Sequence, residues 1–151
     1  MRIKSGGIKQ LDRIWPLWRK LTKIHAEKSP YFQAHYENLT VEERRALFEE
    51  KSKTHELYVA LAVDEDENCL GYCVASRSLT GHTGAVESIF VEADARGGQW
   101  GSKLLENAVD WLRGHGVKSI TINVACGNEV VVPFYQKHGF YPKYILLQNM
   151  E

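Results

Sequence analysis

The chain has 151 residues, enough for one domain with a full hydrophobic core. Its formal net charge is zero, with 25% charged and 44% hydrophobic residues, so no broad electrostatic footprint for nucleic acid is expected. No apolar run approaches a membrane span, and Met1 to Gly7 lack the apolar core of a signal peptide. Cys69, Cys73 and Cys126 form no metal-ligand pattern. Reduced thiols in a cytoplasmic protein are the simplest reading of them.

Arg2 to Ser5 is a candidate first strand, stopped by Gly6-Gly7. From Gln10 to Ala26 the residues Leu11, Ile14, Trp15, Trp18, Leu21 and Ile24 recur every three or four positions, which predicts a helix. Pro16 within it marks either a kink or a later true start. Ser29-Pro30 breaks the helix, and Tyr31 to Tyr36 reads as aromatic and irregular. Thr40 with Glu43 three residues on has the pattern of a capping box for a second helix. The charges Glu42, Glu43, Arg44, Arg45, Glu49 and Glu50 read as its solvated face.

Leu57 to Val63 is an apolar strand, and Asp64 to Asn68 a polar, solvated hairpin turn. Its four acidic residues lack the Gly and terminal Glu of an EF-hand loop. Cys69 to Leu79 is the partner strand, with Gly71 a candidate bulge site. A further turn at Thr80 to Gly84 leads into the most informative stretch of the chain.

Val86 to Val91 is strand-like, Ala93 to Gly98 is a loop with Arg96 and glycines, and Trp100, Leu104, Leu105, Ala108, Val109 and Leu112 form one apolar helix face. The helix stops at Gly114-His115-Gly116. Ile120, Ile122 and Val124 then alternate with polar residues as a strand. Strand, helix, strand favours a parallel pair with a right-handed crossover, whereas the earlier short turns favour antiparallel pairing. The fold class expected is therefore α/β with mixed α+β character: one domain over residues 1–151, with a mixed sheet and helices on both faces.

A strand feeding a helix through glycines directs backbone N–H groups at a positively polarised helix end, which suits a phosphate or pyrophosphate. Gly97, Gly98 and Gly101 do not have dinucleotide-fingerprint spacing, and Gly101-Ser102-Lys103 is not a P-loop order. The stretch resembles the acetyl-CoA loop of the GNAT acyltransferase superfamily, of form Q/R-x-x-G-x-G/A. Arg96 and Gly101 match its first and last positions, and Gln99 stands where the middle glycine is usual. A second segment resembles the same superfamily: Asn128 lies seven residues before Tyr135, and Gly139-Phe140 closes the segment. From the residues alone, Asn128 caps a short helix ended by Gly139. The two motifs span roughly the C-terminal half of the chain.

The resemblance implies a three-layer αβα sandwich with a mostly antiparallel sheet, and a final apolar strand near Tyr144 to Met150. It implies acetyl-CoA as co-substrate and no metal. The donor would be bound by Ile89, Phe90, Val91, Arg96, Gly97, Gly98, Gln99, Trp100, Gly101, Ser102, Asn128 and Tyr135. Oxyanion stabilisation would come from backbone N–H groups near Ile89 to Val91, where the family's strand splays from its parallel neighbour. Glu87 would act as base, its pKa raised by burial or a water held on it; otherwise its head reaches solvent or an Arg. Tyr135 would be the acid, its proton transfer to the thiolate nearly balanced. His25, His35 and His138 read as surface or packing residues.

The function expected is N-acetyl transfer to an amine by direct attack in a ternary complex. A longer acyl-CoA as donor, a catalytically silent acetyl-CoA-binding module and a ligand-free partner-binding domain are the alternatives. The acceptor, a small-molecule amine or a protein or peptide amine, would lie against the first two helices and Tyr31 to Tyr36, held by rings or by Glu27. No nucleic-acid or membrane partner is expected, and a homodimer is left open.

Overall fold

A computed structural model describes residues 1–150. Its centre is a five-stranded sheet in the order β1 (Arg2–Gly6), β2 (His55–Val63), β3 (Cys69–Ser78), β4 (Thr83–Val91), β5 (Ser119–Ile122). The first three pairings are antiparallel and β4–β5 is parallel. Chain connectivity explains this: short turns link β2 to β3 and β3 to β4, while a helical crossover separates β4 from β5.

The helices are α1 (Trp15–Lys28), α2 (Gln33–Glu37), α3 (Val41–Lys51), α4 (Trp100–Gly114) and α5 (Val132–Lys137). On one sheet face, Ile14, Trp18, Val41 and Phe48 join Leu57, Val59, Leu61 and Val63 in one core. On the other, Leu104, Leu105, Ala108 and Leu112 of α4 pack on Ala60, Ala62, Cys73 and Ala75. Strand β2 reads as a continuous apolar run because both its faces are covered, the large side chains toward α1 and α3 and the alanines toward α4. The result is the expected three-layer sandwich. Among the described residues no helix is long and apolar enough to cross a membrane.

Pro16 marks a true start rather than a kink. A 3₁₀ stretch over Ile8–Arg13 precedes α1, and the proline sits in the first turn of α1, where its missing N–H costs nothing. Thr40 caps α3 as predicted: its hydroxyl accepts from Glu43 N–H at 3.1 Å and donates to the Glu43 carboxylate at 3.0 Å. In the acidic turn, Asp64 accepts from the N–H groups of Asp66 and Asn68, both at 2.9 Å. A register shift at the start of β3 leaves Leu70, next to Gly71, as the extra residue.

Two expectations are corrected. The stretch read as irregular contains the short helix α2. Tyr144 to Met150 forms no strand: residues 140–150 have no helix, turn or strand partner, and Tyr144, Ile145, Leu146 and Leu147 are 77–88% exposed. A strand exists only where a neighbouring edge accepts its hydrogen bonds, and this segment meets none in its own chain.

Candidate active site

Strand β4 organises the site through an irregularity in its pairing with β3. Val74 faces Ser88 and Ala75 faces Val86, so Glu87 is one residue too many. Such a bulge breaks the alternation of side chains and twists the strand locally. Val86 points into the α4 core, while Glu87 and Ser88 both meet groups on the α3 face. On the other edge, β4 pairs with β5 only from Thr83 to Val86. Beyond that point the two strands part, and residues 87–91 have no β5 partner. The expected splay at Ile89, Phe90 and Val91 is therefore present, with Ile89 and Val91 packed toward α4 and Phe90 toward α1 and α3.

Glu87 is held on three sides. The Lys51 ammonium lies 2.5 Å from Oε2, and the Ser76 hydroxyl donates to the same oxygen at 2.6 Å. Arg44 Nη2 donates to the Glu87 carbonyl at 3.5 Å and places its guanidinium carbon 4.3 Å from the Phe48 ring centre. Burial pushes the Glu87 carboxyl up, but the Lys51 and Ser76 hydrogen bonds and the Lys51 and Arg44 charges outweigh it and hold it below the usual range. The expectation of a raised pKa is thus corrected: Glu87 is an ionised, paired carboxylate at neutral pH. A cavity of about 220 Å³ adjoins this group, with Lys51, His55, Ser76 and Thr121 in its wall.

The glycine loop folds as a tight entry to α4. Gly97 has φ +96° and Gln99 has φ +61°, ψ +25°. Gln99 therefore adopts the left-handed conformation for which glycine is the cheap residue, and its carbonyl accepts from Lys103 N–H at 3.0 Å. No side chain caps α4. The N–H groups of Trp100, Gly101 and Ser102 belong to its first turn, which has no preceding turn to accept them.

Two of the loop residues expected to bind the donor also make contacts within the chain. Arg96 turns back, its Nε donating to the Val91 carbonyl at 3.1 Å and its guanidinium carbon 5.5 Å from the Phe90 ring centre. Gly101 faces the Phe134 ring of α5, which a Cβ there would meet at an ordinary contact distance of 3.5 Å. Gly98 lies against Trp100, where a Cβ would come within 3.0 Å of the indole. Ser102 reaches His138, its Oγ 3.1 Å from Nε2, which ties α5 to the start of α4.

Asn128 is buried and precedes a 3₁₀ turn over Glu129–Val131 that runs into α5. Its side chain does not cap that turn; Oδ1 accepts from Lys28 Nζ at 3.2 Å. The neighbouring Gly127, at φ +100°, brings the loop so close to the end of α1 that a Cβ would lie 2.1 Å from the Lys28 carbonyl oxygen. Tyr135 is half-buried among Phe134, Phe140 and the α4 core. Burial, then Cys73, pushes its phenol up to about 12. Full proton transfer from it to a thiolate is accordingly far from balanced, contrary to expectation. Of the acceptor-side aromatics, Tyr36 lies between His25 and His35, with ring centres 5.4 and 5.1 Å away, while Tyr31 is exposed. Burial, then Lys28, draws His25 down, so its ring is neutral at pH 7.

Residues 18–140 match the model of the acetyltransferase (GNAT) family. The chain belongs to this family. Solved structures share the GNAT fold at low identity. The tetramutant of the BH1408 protein from Bacillus halodurans is 18% identical over 100% of both chains, with a TM-score of 0.73. PaiA N-acetyltransferase from Thermoplasma acidophilum, in complex with coenzyme A, is 19% identical over 95% of this chain and 92% of its own, with a TM-score of 0.69. Aminoglycoside N-acetyltransferase AAC(6')-Iy, in complex with CoA, is 16% identical over 99% and 98%, with a TM-score of 0.66. No curated protein sequence matches this chain significantly.

Within this GNAT fold the structure adds residues that the sequence did not single out, Lys51 and Ser76 around Glu87 and Lys28 on Asn128, and it pairs Ser102 with His138 between α4 and α5. Arg44 also leaves the solvated face assigned to it and reaches β4. Only the spacing of Arg44 and Lys51, seven residues apart on one helix, could have hinted that both project from one side. Among the described residues no group of three or more His, Cys, Asp or Glu side chains is placed to hold a metal ion.

Proposed function

We propose that this GNAT protein transfers the acetyl group of acetyl-CoA to an amine by direct attack in a ternary complex. The observation that carries the proposal is the opening of β4 from β5 after Val86, with the left-handed Gly97–Gln99 loop near one end and Tyr135 beside it. Backbone donors fit both parts of such a donor: the uncapped first turn of α4 suits the pyrophosphate, and the edge of residues 87–91 that has no β5 partner suits a thioester carbonyl.

Bound acetyl-CoA supplies the activated acyl carbon; the protein's own groups do the rest. Between Ile89 and Val91, the N–H groups that face away from β3 point toward developing oxyanion charge. Asn128, whose Oδ1 accepts from Lys28, follows β5 in the chain and offers its amide to the pantetheine arm of the donor. Tyr135, with its phenol protonated throughout the working range, donates a hydrogen bond toward the departing sulfur. Glu87 is negative and anchored by Lys51 and Ser76, so it acts on the acceptor as a fixed charge or through a water. The acceptor enters from the α1, α2 and α3 side.

Calorimetric titration with CoA and acetyl-CoA, followed by thiol release across an amine panel, tests the reading. CoA binding with amine-dependent thiol release supports it. Binding without release from any amine leaves the silent acyl-CoA-binding module, and no binding leaves a partner-binding domain.

A further inference from the structure

The α3 face of β4 carries an uneven set of charges where β4 leaves β5. Glu87 is the first residue of β4 beyond the last one that β5 pairs. Two cations of α3 reach it, Arg44 at its carbonyl oxygen and Lys51 at its carboxylate. The Lys51 ammonium and the Ser76 hydroxyl both approach Oε2, which leaves Oε1 for a further donor. Glu92, just past the end of β4, is taken by Lys20.

Arg44 is not matched in this way. It is half-buried, its guanidinium carbon lies 4.3 Å from the Phe48 ring centre, and its one hydrogen bond is a long one of 3.5 Å to a neutral carbonyl. It forms no ion pair among the described residues. A guanidinium has five N–H donors and stays charged at any working pH. The phenol of Tyr72, fully buried and bonded to Ser88 at 2.7 Å, is pushed up by burial and stays protonated, so it brings no opposing charge.

We propose that the acceptor is an amino acid, with its carboxylate on Arg44 and its amine beside Glu87 Oε1. The proposal rests on the acetyl-transfer reading and names the substrate class of that site. An amino acid presents opposite charges a few bonds apart, which complements a free cation at the backbone of Glu87 and an anion on its side chain. A polyamine would meet Arg44 and Lys51 with only the paired Glu87 to offset them. An amine with no anionic group would leave the guanidinium unmatched. In the transfer the amine, having lost its extra proton, forms the N–C bond as the thioester C–S bond breaks. The nitrogen then releases a second proton, and the CoA sulfur takes one up.

The test is thiol release from acetyl-CoA with matched acceptors: a set of amino acids, the carboxamide of each, and spermidine. The amine of the carboxamide is less basic without its neighbouring carboxylate, so chemistry alone favours the amide. The expected wild-type result is the reverse, a kcat/KM at least about 10-fold higher for the preferred amino acid than for its amide. Arg44→Met keeps an apolar stem against Phe48 and removes the charge. It should lower kcat/KM for the amino acid by about 100-fold, mainly through KM, change the amide by less than about threefold, and leave CoA affinity unchanged. Arg44→Lys should recover part of the loss. Equal losses on both acceptors, the result of a merely structural Arg44, overturn the proposal. So does a wild-type chain that uses an amide or spermidine at least as well as every amino acid, with acetyl transfer itself left standing. Release from no amine overturns the transfer reading and the proposal together. The wild-type comparison decides the matter even if Arg44→Met misfolds.

Discussion

Lys51, the last residue of α3, places its ammonium 2.5 Å from the carboxylate of Glu87, the bulged residue of β4. The pair joins a helix to the strand that opens the cleft, with the Glu87 side chain only 15% exposed. Because its carboxyl is held below the value of the unfolded chain, the pair contributes stability above about pH 4.3 and loses it as pH falls through the lower folded value. Glu87→Gln should cost about 1–3 kcal/mol at pH 7, and the difference from wild type should shrink below about pH 4. Urea midpoints measured from pH 2.5 to 7 check this; a difference that is constant with pH would show that Glu87 is not paired in solution.

The same pair bears on catalysis. A carboxylate already ionised at neutral pH cannot set an acidic limb near pH 6 to 7. Glu87→Gln should therefore lower turnover by roughly 10- to 100-fold while keeping the shape of the pH–rate profile. Lys51→Met removes the main opposing charge and should move the Glu87 titration up, toward an acidic limb of its own. Profiles of the two variants on one confirmed acceptor decide whether Glu87 or the acceptor amine governs the limb.

Tyr135 keeps its proton. With the phenol at about 12 and a thiol near 8.5, complete transfer to a leaving thiolate is uphill by about 5 kcal/mol, so a hydrogen bond to sulfur is the contribution expected. Tyr135→Phe should fold normally, bind CoA nearly as well, and lose roughly 10- to 100-fold in turnover. No alkaline limb below about pH 11 should belong to Tyr135. Steady-state CoA release with separately measured CoA affinity tests it; wild-type turnover under rate-limiting chemistry would leave Tyr135 a packing residue.

Gln99 pays for its left-handed backbone. Gln99→Gly should stabilise the protein by about 1 kcal/mol, and Gln99→Val should destabilise it by at least as much. Gly101 faces Phe134 at ordinary contact distance, so Gly101→Ala should be tolerated, whereas Gly101→Leu should push α5 away and weaken both stability and CoA affinity. Thermal denaturation paired with calorimetry separates the two effects.

Gly127 admits no side chain. Its φ of +100° and the Lys28 carbonyl at 2.1 Å from an added Cβ mean that Gly127→Ala must displace the loop or the end of α1. A loss of about 2–4 kcal/mol is expected. The Lys28–Asn128 hydrogen bond should be disturbed with it, so CoA affinity should fall as well. Equilibrium denaturation and CoA titration on the same preparation measure both.

Local pattern was enough to place most elements of this chain. Apolar spacing located α1 and α4, Pro16 and Thr40 marked where α1 and α3 begin, and the strand–glycine–helix–strand order predicted the parallel pair. These features are written in neighbouring residues, because capping, periodicity and crossover length act within a few turns of chain. Tertiary structure alone decided how the site is wired. The bulge that turns Glu87 and Ser88 to the same face depends on the register with β3, and the fate of Glu87 depends on Lys51 and Arg44, which lie 36 and 43 residues earlier. Asn128 was legible as a cap, yet its partner is Lys28, a hundred residues away. The run from Tyr144 to Leu147 has the composition of a strand, but composition cannot supply the edge that a strand must bond, and in the folded chain the run is exposed and unpaired.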